Sequence, residues 1–152
     1  MNTQLRNMVV LVDDEPNIRE TVAFILEAEG IDVETGADGV EGLDAVKRCK
    51  PKVVLLDVMM PRMDGYEVCR EIRSTKELDG VFVMILTARG QKSDEVKALE
   101  VGADLYMSKP FDDEVVLQVI HEVFEGRLAS RHGAGAAASE SGVHYQRAEA
   151  AN

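Results

Sequence analysis

The chain has 152 residues, of which 45% are hydrophobic and 30% are charged, and its formal net charge at neutral pH is −11. This length and composition predict one globular domain with a substantial core, and no apolar run approaches the roughly 20 residues of a membrane-spanning helix. The acidic balance and the aromatic content of 5% argue against the basic, base-stacking surface of a nucleic-acid-binding protein.

Strand-like and helix-like patterns alternate along the chain. Five segments have the apolar runs or the alternation of β-strands, and they are 8–12, 31–35, 52–56, 81–86 and 104–107. Each is followed by a segment with helical spacing, and these begin near residues 17, 38, 64, 91 and 112. Five strand-then-helix units predict an α/β fold with a doubly wound, five-stranded parallel sheet and helices on both faces.

Local signals also assign some helix starts and inner faces. Capping-box spacing over 38–41 predicts the start of the second helix, with Val40 on its inner face. In the fourth helix we expect Val96 and Leu99 to face the core and Glu95 to lie on the solvated side.

Polar side chains follow four of the five predicted strands, at the point where each strand ends. Asp13 and Asp14 follow the first strand, Asp57 the third, Thr87 the fourth and Lys109 the fifth. In an open parallel sheet the carboxyl ends of the strands form one rim, where ligands bind. The carboxylates, the hydroxyl and the ammonium are therefore expected to converge on one site.

The acidic residues of this rim favour a hard divalent cation. Three carboxylates held close together repel one another, and a cation relieves that repulsion. Oxygen ligands without histidine or cysteine favour Mg²⁺, which also binds phosphate oxygens. Asp57 is the candidate nucleophile toward a phosphoryl group, because it ends a central strand between the acidic pair and Lys109. Lys109 and Thr87 are suited to contact phosphoryl oxygens.

Four pieces of the sequence resemble the receiver domain of two-component response regulators, in the order in which that family has them. They are Leu11 to Pro16, Leu55 to Gly65, Leu86 to Ala88 and Ser108 to Phe111. The resemblance covers roughly residues 5–126 and is taken to be to the chemotaxis-type, single-domain members. It implies a flavodoxin-like fold with strand order 2-1-3-4-5.

The resemblance also implies roles for the residues of the rim. Asp57 would accept a phosphoryl group from a histidine kinase or a histidine phosphotransfer protein. Mg²⁺ would be held by Asp13, Asp14, Asp57 and the backbone carbonyl of Met59. Lys109 and Thr87 would contact the phosphoryl group, and the Lys109–Pro110 bond would be cis.

Three further residues are implied to govern switching and its reversal. Tyr106 matches the family's switch aromatic, which turns inward as Thr87 moves toward the phosphate and so changes a protein-binding surface. Met59 and Arg89 occupy the two positions that tune dephosphorylation in the family. Neither positions a water molecule well, so slow autodephosphorylation is predicted. The chain is thus interpreted as a signalling switch rather than an enzyme, one that catalyses only its own phosphorylation and dephosphorylation.

Three other interpretations fit parts of the pattern. A Mg²⁺-dependent phosphatase or phosphotransferase of the haloacid-dehalogenase type would carry a second aspartate two residues after Asp57, where Met59 stands. A dinucleotide-binding domain would need a glycine-rich turn in place of the acidic residues 13–15. A degenerate receiver that works without phosphorylation would lack acceptor or metal-binding residues, whereas all of these positions are filled here.

The receiver domain is predicted over residues 5–128 and a tail over 129–152. The tail holds eight alanines, three glycines and three serines, so it buries too little apolar surface to fold alone and is expected to be flexible. Because such a segment cannot form an output domain, the chain is interpreted as a single-domain regulator or phosphate shuttle.

The expected partners are the phosphodonor protein, docking on the first helix, and an unknown downstream protein, but neither nucleic acid nor membrane. The chain is expected to be a monomer or a phosphorylation-dependent dimer through its last three elements, where Lys97 lies among Glu100, Asp104 and Asp113. It has two cysteines and no signal-peptide core in its first eight residues, so we expect a reduced, cytoplasmic protein that needs Mg²⁺ as its cofactor.

Overall fold

The computed structural model describes residues 4–88 and 92–132. The strands are β1 (Arg6–Val12), β2 (Asp32–Gly36), β3 (Pro51–Asp57), β4 (Phe82–Thr87) and β5 (Leu105–Ser108). The helices are α1 (Pro16–Ala28), α2 (Gly39–Cys49), α3 (Gly65–Arg73), α4 (Lys92–Glu100) and α5 (Asp113–Phe124), and a single 3₁₀ turn spans Lys76–Leu78. Each strand and each α-helix matches a predicted one, with ends shifted by one or two residues, whereas the 3₁₀ turn has no predicted counterpart.

All pairings in the sheet are parallel, and the strand order is β2-β1-β3-β4-β5. The predicted fold class and strand order are therefore confirmed. The order reverses between β1 and β3, so the crevice beyond the carboxyl ends of these strands is the switch point at which such sheets bind ligands.

Side chains on the two faces of the sheet build two separate cores, because consecutive strand residues point in opposite directions. One core joins alternate residues of the strands, such as Val10, to the inner faces of α2, α3 and α4. The other joins residues such as Leu11 to α1 and α5. Burial on both sides explains why β1, β3 and β4 are nearly continuous apolar runs.

The helix boundaries follow the local signals in the sequence. The Asp38 carboxylate accepts from the backbone N–H of Glu41 at 2.9 Å and so caps α2. At α3 a complete capping box forms between Asp64 and Glu67. Gly30 has a φ of +79°, a conformation that suits glycine, and it ends the α1 segment as predicted.

The predicted position of Val40 on α2 and the predicted inner face of α4 are wrong. Val40 on α2 is exposed, and α4 is rotated so that Val96 and Leu99 are 44% and 38% exposed while Glu95 is buried. The inner surface of α4 is instead made by Ala98, which belongs to the same core as Tyr106. Two large apolar residues spaced three apart indicate a helix, but they do not fix its rotation about its own axis. A rotation by one residue position buries Glu95 and Ala98 in place of Val96 and Leu99.

The first residues of the predicted tail are packed against the domain. Ser130 is 2% exposed and its hydroxyl donates to the Asp104 carboxylate at 3.1 Å, while the Arg131 backbone N–H donates to the same carboxylate at 2.9 Å. Residues 133–152, the rest of the predicted tail, lie outside the described residues. Among the described helices, none combines the length and the apolar character needed to cross a membrane.

Candidate functional site

The register of the sheet brings the predicted polar residues to one rim. Val12, the last residue of β1, pairs with Leu56, and Asp57 pairs with Leu86 on β4. Thr87 in turn pairs with Ser108 on β5. The residues that end these strands or follow them by one position therefore lie side by side.

Three carboxylates meet at the centre of this rim. Oxygens of Asp13, Asp14 and Asp57 all lie within 4.8 Å of one another. Asp13 and Asp57 are buried, at 1% and 6% exposure, while Asp14 is accessible to solvent. The arrangement is an acidic cluster that solvent reaches at Asp14.

Asp13 is held from several directions. Its backbone N–H donates to the Gly36 carbonyl of β2 at 3.1 Å, and its carboxylate accepts from the Glu15 backbone N–H at 2.9 Å. The second carboxylate oxygen accepts from Lys109 Nζ at 3.0 Å. The backbone carbonyl accepts from Nη1 of Arg19 at 2.7 Å. Arg19 was not among the residues singled out from the sequence, where the only available signal was an arginine one turn into the first helix.

Burial and charge oppose ionisation of Asp57. Desolvation, followed by repulsion from Asp13, raises the pKa of Asp57 from 3.8 to about 6, although Lys109 and the Val58 backbone N–H pull it down. The Lys109 ammonium is 3.4 Å from Asp57 Oδ1. Burial lowers the pKa of Lys109, but the hydrogen bond to Asp13 and the charges of both carboxylates outweigh it and raise the pKa overall.

The loop between β3 and α3 is built tightly around Asp57. The Gly65 N–H donates to the Val58 carbonyl at 2.9 Å, and a Cβ at Gly65 would lie 2.3 Å from the Asp57 carbonyl oxygen. Arg62 has a φ of +71° and its guanidinium lies 3.1 Å from the Asp38 carboxylate. Met59 stands at the solvent side of this loop with 62% of its surface exposed.

The remaining predicted residues flank the acidic centre. Thr87 is buried at the end of β4, and its carbonyl accepts from the Lys109 N–H at 2.7 Å. Tyr106 belongs to the same core as Ala98 of α4 and is 1% exposed, so its ring is buried. The Lys109–Pro110 bond is cis, as expected. Arg89 lies outside the described residues.

The donor set suits Mg²⁺. Two buried carboxylates and a third accessible one offer only oxygen ligands, which Mg²⁺ prefers. Burial, followed by repulsion from Asp13, raises the pKa of Asp57, and among the described residues Lys109 is the basic group that ion pairs place on Asp13 and Asp57. A divalent cation would supply further positive charge.

Residues 9–121 match the family described as response regulator receiver domain. The chain belongs to the response regulator receiver domain family. Because the match includes the three rim carboxylates, Asp13, Asp14 and Asp57 form the acidic phosphorylation site of a receiver domain. Receiver domains are signalling proteins rather than conventional enzymes, and histidine kinases are their partners.

Relatives of this receiver domain include larger proteins. The response regulator MprA of Mycobacterium sp. (strain KMS) is 46% identical over 109 residues, which are 72% of this chain and 46% of MprA. MprA of Mycobacterium leprae (strain TN) is also 46% identical over 109 residues, 47% of its length. The chain thus spans about half the length of the curated relatives it matches.

Solved structures of response regulators match about three quarters of this chain. The chemotaxis protein CheY4 of Vibrio cholerae shares 32% identity at a TM-score of 0.71, over 76% of this chain and 97% of CheY4. The response regulator DrrB of Thermotoga maritima, an OmpR/PhoB homologue, shares 34% identity at a TM-score of 0.68, over 78% of this chain and 52% of that chain. Both kinds of regulator therefore contain the fold of this receiver domain.

Proposed function

We propose that Asp57 accepts a phosphoryl group from a histidine kinase or a histidine phosphotransfer protein and that this modification switches a protein-binding surface. The observation that carries the proposal is the meeting of three carboxylates within 4.8 Å, with Lys109 placed between Asp13 and Asp57. In the transfer, an Asp57 oxygen attacks phosphorus and the P–N bond of the donor breaks. The electron pair of that bond goes to the imidazole nitrogen, and an acyl phosphate forms.

The site residues share the work of neutralising and positioning charge. Asp13, Asp14, Asp57 and the backbone carbonyl of Met59 would hold Mg²⁺, which supplies positive charge for the phosphoryl oxygens when it is bound. Lys109 and the Thr87 hydroxyl would contact the remaining phosphoryl oxygens.

Switching is proposed to pass from Thr87 to Tyr106 and α4. Phosphorylation adds about −1.5 to −2 charge at Asp57. That charge attracts Thr87 and Lys109 and stabilises the inward Tyr106, which packs in the same core as Ala98 of α4. Since the ring is already buried, phosphorylation shifts a population rather than creating a conformation. The surface of α4, β5 and α5 is the proposed output face, where a downstream protein or a second phosphorylated copy would bind.

A groove beside Lys109 is the proposed dock for the phosphodonor protein. It has a volume of about 460 Å³ and lies between α1 and the segment after β5, with Ile18 and Phe111 among its apolar lining residues. Thr21 lies on its exposed wall, and Lys109 lines it as well. A helical donor domain seated here would bring its histidine next to the acidic site. Phe24, further along α1, is 72% exposed and extends the apolar surface.

The lifetime of the acyl phosphate is proposed to be long. Met59 and Arg89 stand at the positions that tune dephosphorylation, and neither side chain offers a carboxylate or amide to orient water. The bulk of Met59 at the mouth of the site is expected to shield the acyl phosphate. A half-life of only seconds, measured without a phosphatase, would contradict this part of the proposal.

We further propose a cytoplasmic, single-domain regulator of the chemotaxis type, with a receiver domain over 5–128 and a tail over 129–152. Its support is the match to 97% of the CheY4 chain. The mass of the endogenous protein, measured by immunoblotting with an antibody raised against this domain, tests the organisation. A mass well above 16.7 kDa would indicate an MprA-like protein with an additional domain.

The central test is intact-mass spectrometry after incubation with acetyl phosphate and Mg²⁺. We expect the gain of one PO₃ unit, and no gain in Asp57→Asn. Failure of the wild-type chain to gain mass would overturn the assignment of Asp57. Docking is tested separately by transfer from a phosphorylated histidine phosphotransfer protein, where Thr21→Arg in the groove should slow transfer and Asn7→Arg, exposed at the start of β1, should not.

A further inference from the structure

The N-terminus of α1 lacks the usual side-chain cap. Glu15 occupies the cap position, but its side chain makes no capping hydrogen bond, and Pro16 follows with no N–H of its own. Arg19, one turn into the helix, reaches back over this end. Its Nη1 donates to the carbonyl of Asp13 at 2.7 Å. The guanidinium therefore joins α1 to the turn that carries two of the three rim carboxylates.

This contact fixes the backbone between Asp13 and Asp14. The Asp13 carbonyl and the Asp14 N–H belong to one rigid peptide plane, so a clamp on the carbonyl sets the orientation of that plane and the direction in which Asp14 leaves it. The other bonds to Asp13 act elsewhere, since Gly36 accepts from its backbone N–H and Lys109 contacts its carboxylate. Arg19 is thus the described residue whose side chain holds this carbonyl.

We propose that Arg19 is a positioning residue for the divalent-cation site, acting through the Asp13 carbonyl to hold Asp14 in place. The inference rests on the proposed Mg²⁺ site. It also links that site to the proposed docking groove, because Arg19 follows Ile18 on the helix that forms one wall.

The charge of Arg19 and its hydrogen bond to the Asp13 carbonyl have opposite expected effects on Mg²⁺ affinity. A guanidinium near three carboxylates repels a cation, so removal of the positive charge alone should strengthen Mg²⁺ binding. Loss of the carbonyl clamp should instead weaken it, because the turn must then be ordered as the ion binds. The sign of the change in affinity therefore separates the two roles.

The experiment measures the Mg²⁺ dissociation constant of the full chain by isothermal titration calorimetry, well below the unfolding midpoint. We expect Arg19→Gln to weaken binding by about fivefold, the factor for one net hydrogen bond, and Arg19→Lys to restore part of the loss. Arg70→Gln, an exposed position on α3, makes the same change in net charge and should leave the constant near the wild-type value. Circular dichroism verifies that each variant is folded.

The outcomes are distinct. If the Arg19→Gln variant binds Mg²⁺ as tightly as the wild type or more tightly, Arg19 does not position the cation site. If Arg19→Gln does not fold, Arg19→Lys decides by the same criterion, weaker binding supporting the proposal and equal or tighter binding overturning it. If the wild-type chain binds no Mg²⁺, both the proposed cation site and the role of Arg19 are wrong. That result is distinguishable from weaker Mg²⁺ binding in the Arg19→Gln variant alone.

Discussion

Lys109 lies closer to Asp13 than to Asp57, with its Nζ 3.0 Å from Oδ2 of Asp13 and 3.4 Å from Oδ1 of Asp57. One ammonium is therefore shared by carboxylates from two neighbouring strands. It is 14% exposed, so the surrounding protein weakens solvent screening of both interactions. A phosphoryl group on Asp57 adds negative charge on the Asp57 side of Lys109. That charge should draw the ammonium away from Asp13.

Lys109→Gln should slow phosphoryl uptake strongly. The amide cannot neutralise the phosphoryl oxygens, and the pKa of Asp57 should rise further because its only described basic partner is lost. We expect the uptake rate from acetyl phosphate, followed by intact-mass spectrometry, to fall roughly tenfold or more. Lys76→Gln removes an exposed ammonium from the 3₁₀ turn and serves as the control. Equal rates in the two variants would show that Lys109 does not act on the phosphoryl group.

The stability of the metal-free protein should depend on the ionisation of Asp57. Its pKa is about 6 in the folded chain and 3.8 ordinarily, so the folded state binds the proton more tightly than the unfolded state does. The stability contributed by this proton is fully present below about pH 4 and is lost as the pH rises through about 6. Asp57→Asn stays neutral at all these pH values.

Thermal unfolding of the wild type and Asp57→Asn in chelator tests this difference. Above about pH 6 we expect Asp57→Asn to melt about 2–4 °C higher, and below about pH 4 the gap should close. Asp32→Asn, on the exposed start of β2, should show no gap that changes with pH. A difference in melting temperature between the wild type and Asp57→Asn that stayed constant from about pH 4 to above about pH 6 would contradict the raised pKa of Asp57.

Mg²⁺ should stabilise the chain, and Asp14 should be needed for the effect. A ligand that binds only the folded state at 100 times its dissociation constant adds about 2.7 kcal/mol to the free energy of unfolding. We expect the melting midpoint to rise with Mg²⁺, to return on adding chelator, and to respond little in Asp14→Asn. Asp44→Asn, exposed on α2, should respond as the wild type does. A full response in Asp14→Asn would remove Asp14 from the cation site.

The rim could be predicted from the sequence because each of its parts is local. A run such as 52–56 indicates a buried strand, Asp57 follows it directly, and parallel topology then brings the strand ends together. The rotation of α4 could not be predicted in the same way. Val96 and Leu99 offered an inner face by their spacing, but α4 packs on the core through the small side chain of Ala98, which is fully buried in the same cluster as Tyr106.

Contacts between residues far apart in the chain were also beyond the sequence. Asp104 looked like a surface acid at the start of a strand, yet it is fully buried and paired with Arg73, which lies 31 positions earlier. The packing of Ser130 could not be predicted because its neighbours are alanine, arginine and histidine, none of which marks a folded segment. Such pairings depend on the tertiary fold, and no local pattern in the sequence specifies them.

Replacement of the buried Asp104 carboxylate should lower the stability of the fold strongly. Asp104 directly precedes β5, so it lies at the N-terminal ends of the strands, at the opposite end of the sheet from Asp57. One oxygen accepts from Arg73 Nη2 at 2.8 Å and from the Val83 N–H at 3.0 Å. The other accepts from the Ser130 hydroxyl at 3.1 Å and from the Arg131 N–H at 2.9 Å. The carboxylate thus ties α3, β4 and the segment after α5 together, and every donor would lose its partner if it were removed.

Asp104→Asn should lower the free energy of unfolding by about 3–5 kcal/mol, because it leaves the Arg73 guanidinium without its counter-charge and turns one acceptor into a donor facing other donors. Ser130→Ala should cost about 1 kcal/mol, the value of one net hydrogen bond. Glu34→Gln, which breaks an exposed pair with Arg48 at 3.5 Å, should change stability by less than about 1 kcal/mol. Urea unfolding followed by circular dichroism measures all three. If Asp104→Asn were no more destabilising than Glu34→Gln, the buried network would contribute nothing to the stability of the fold. If Ser130→Ala left the free energy of unfolding unchanged, Asp104 would not hold the segment after α5.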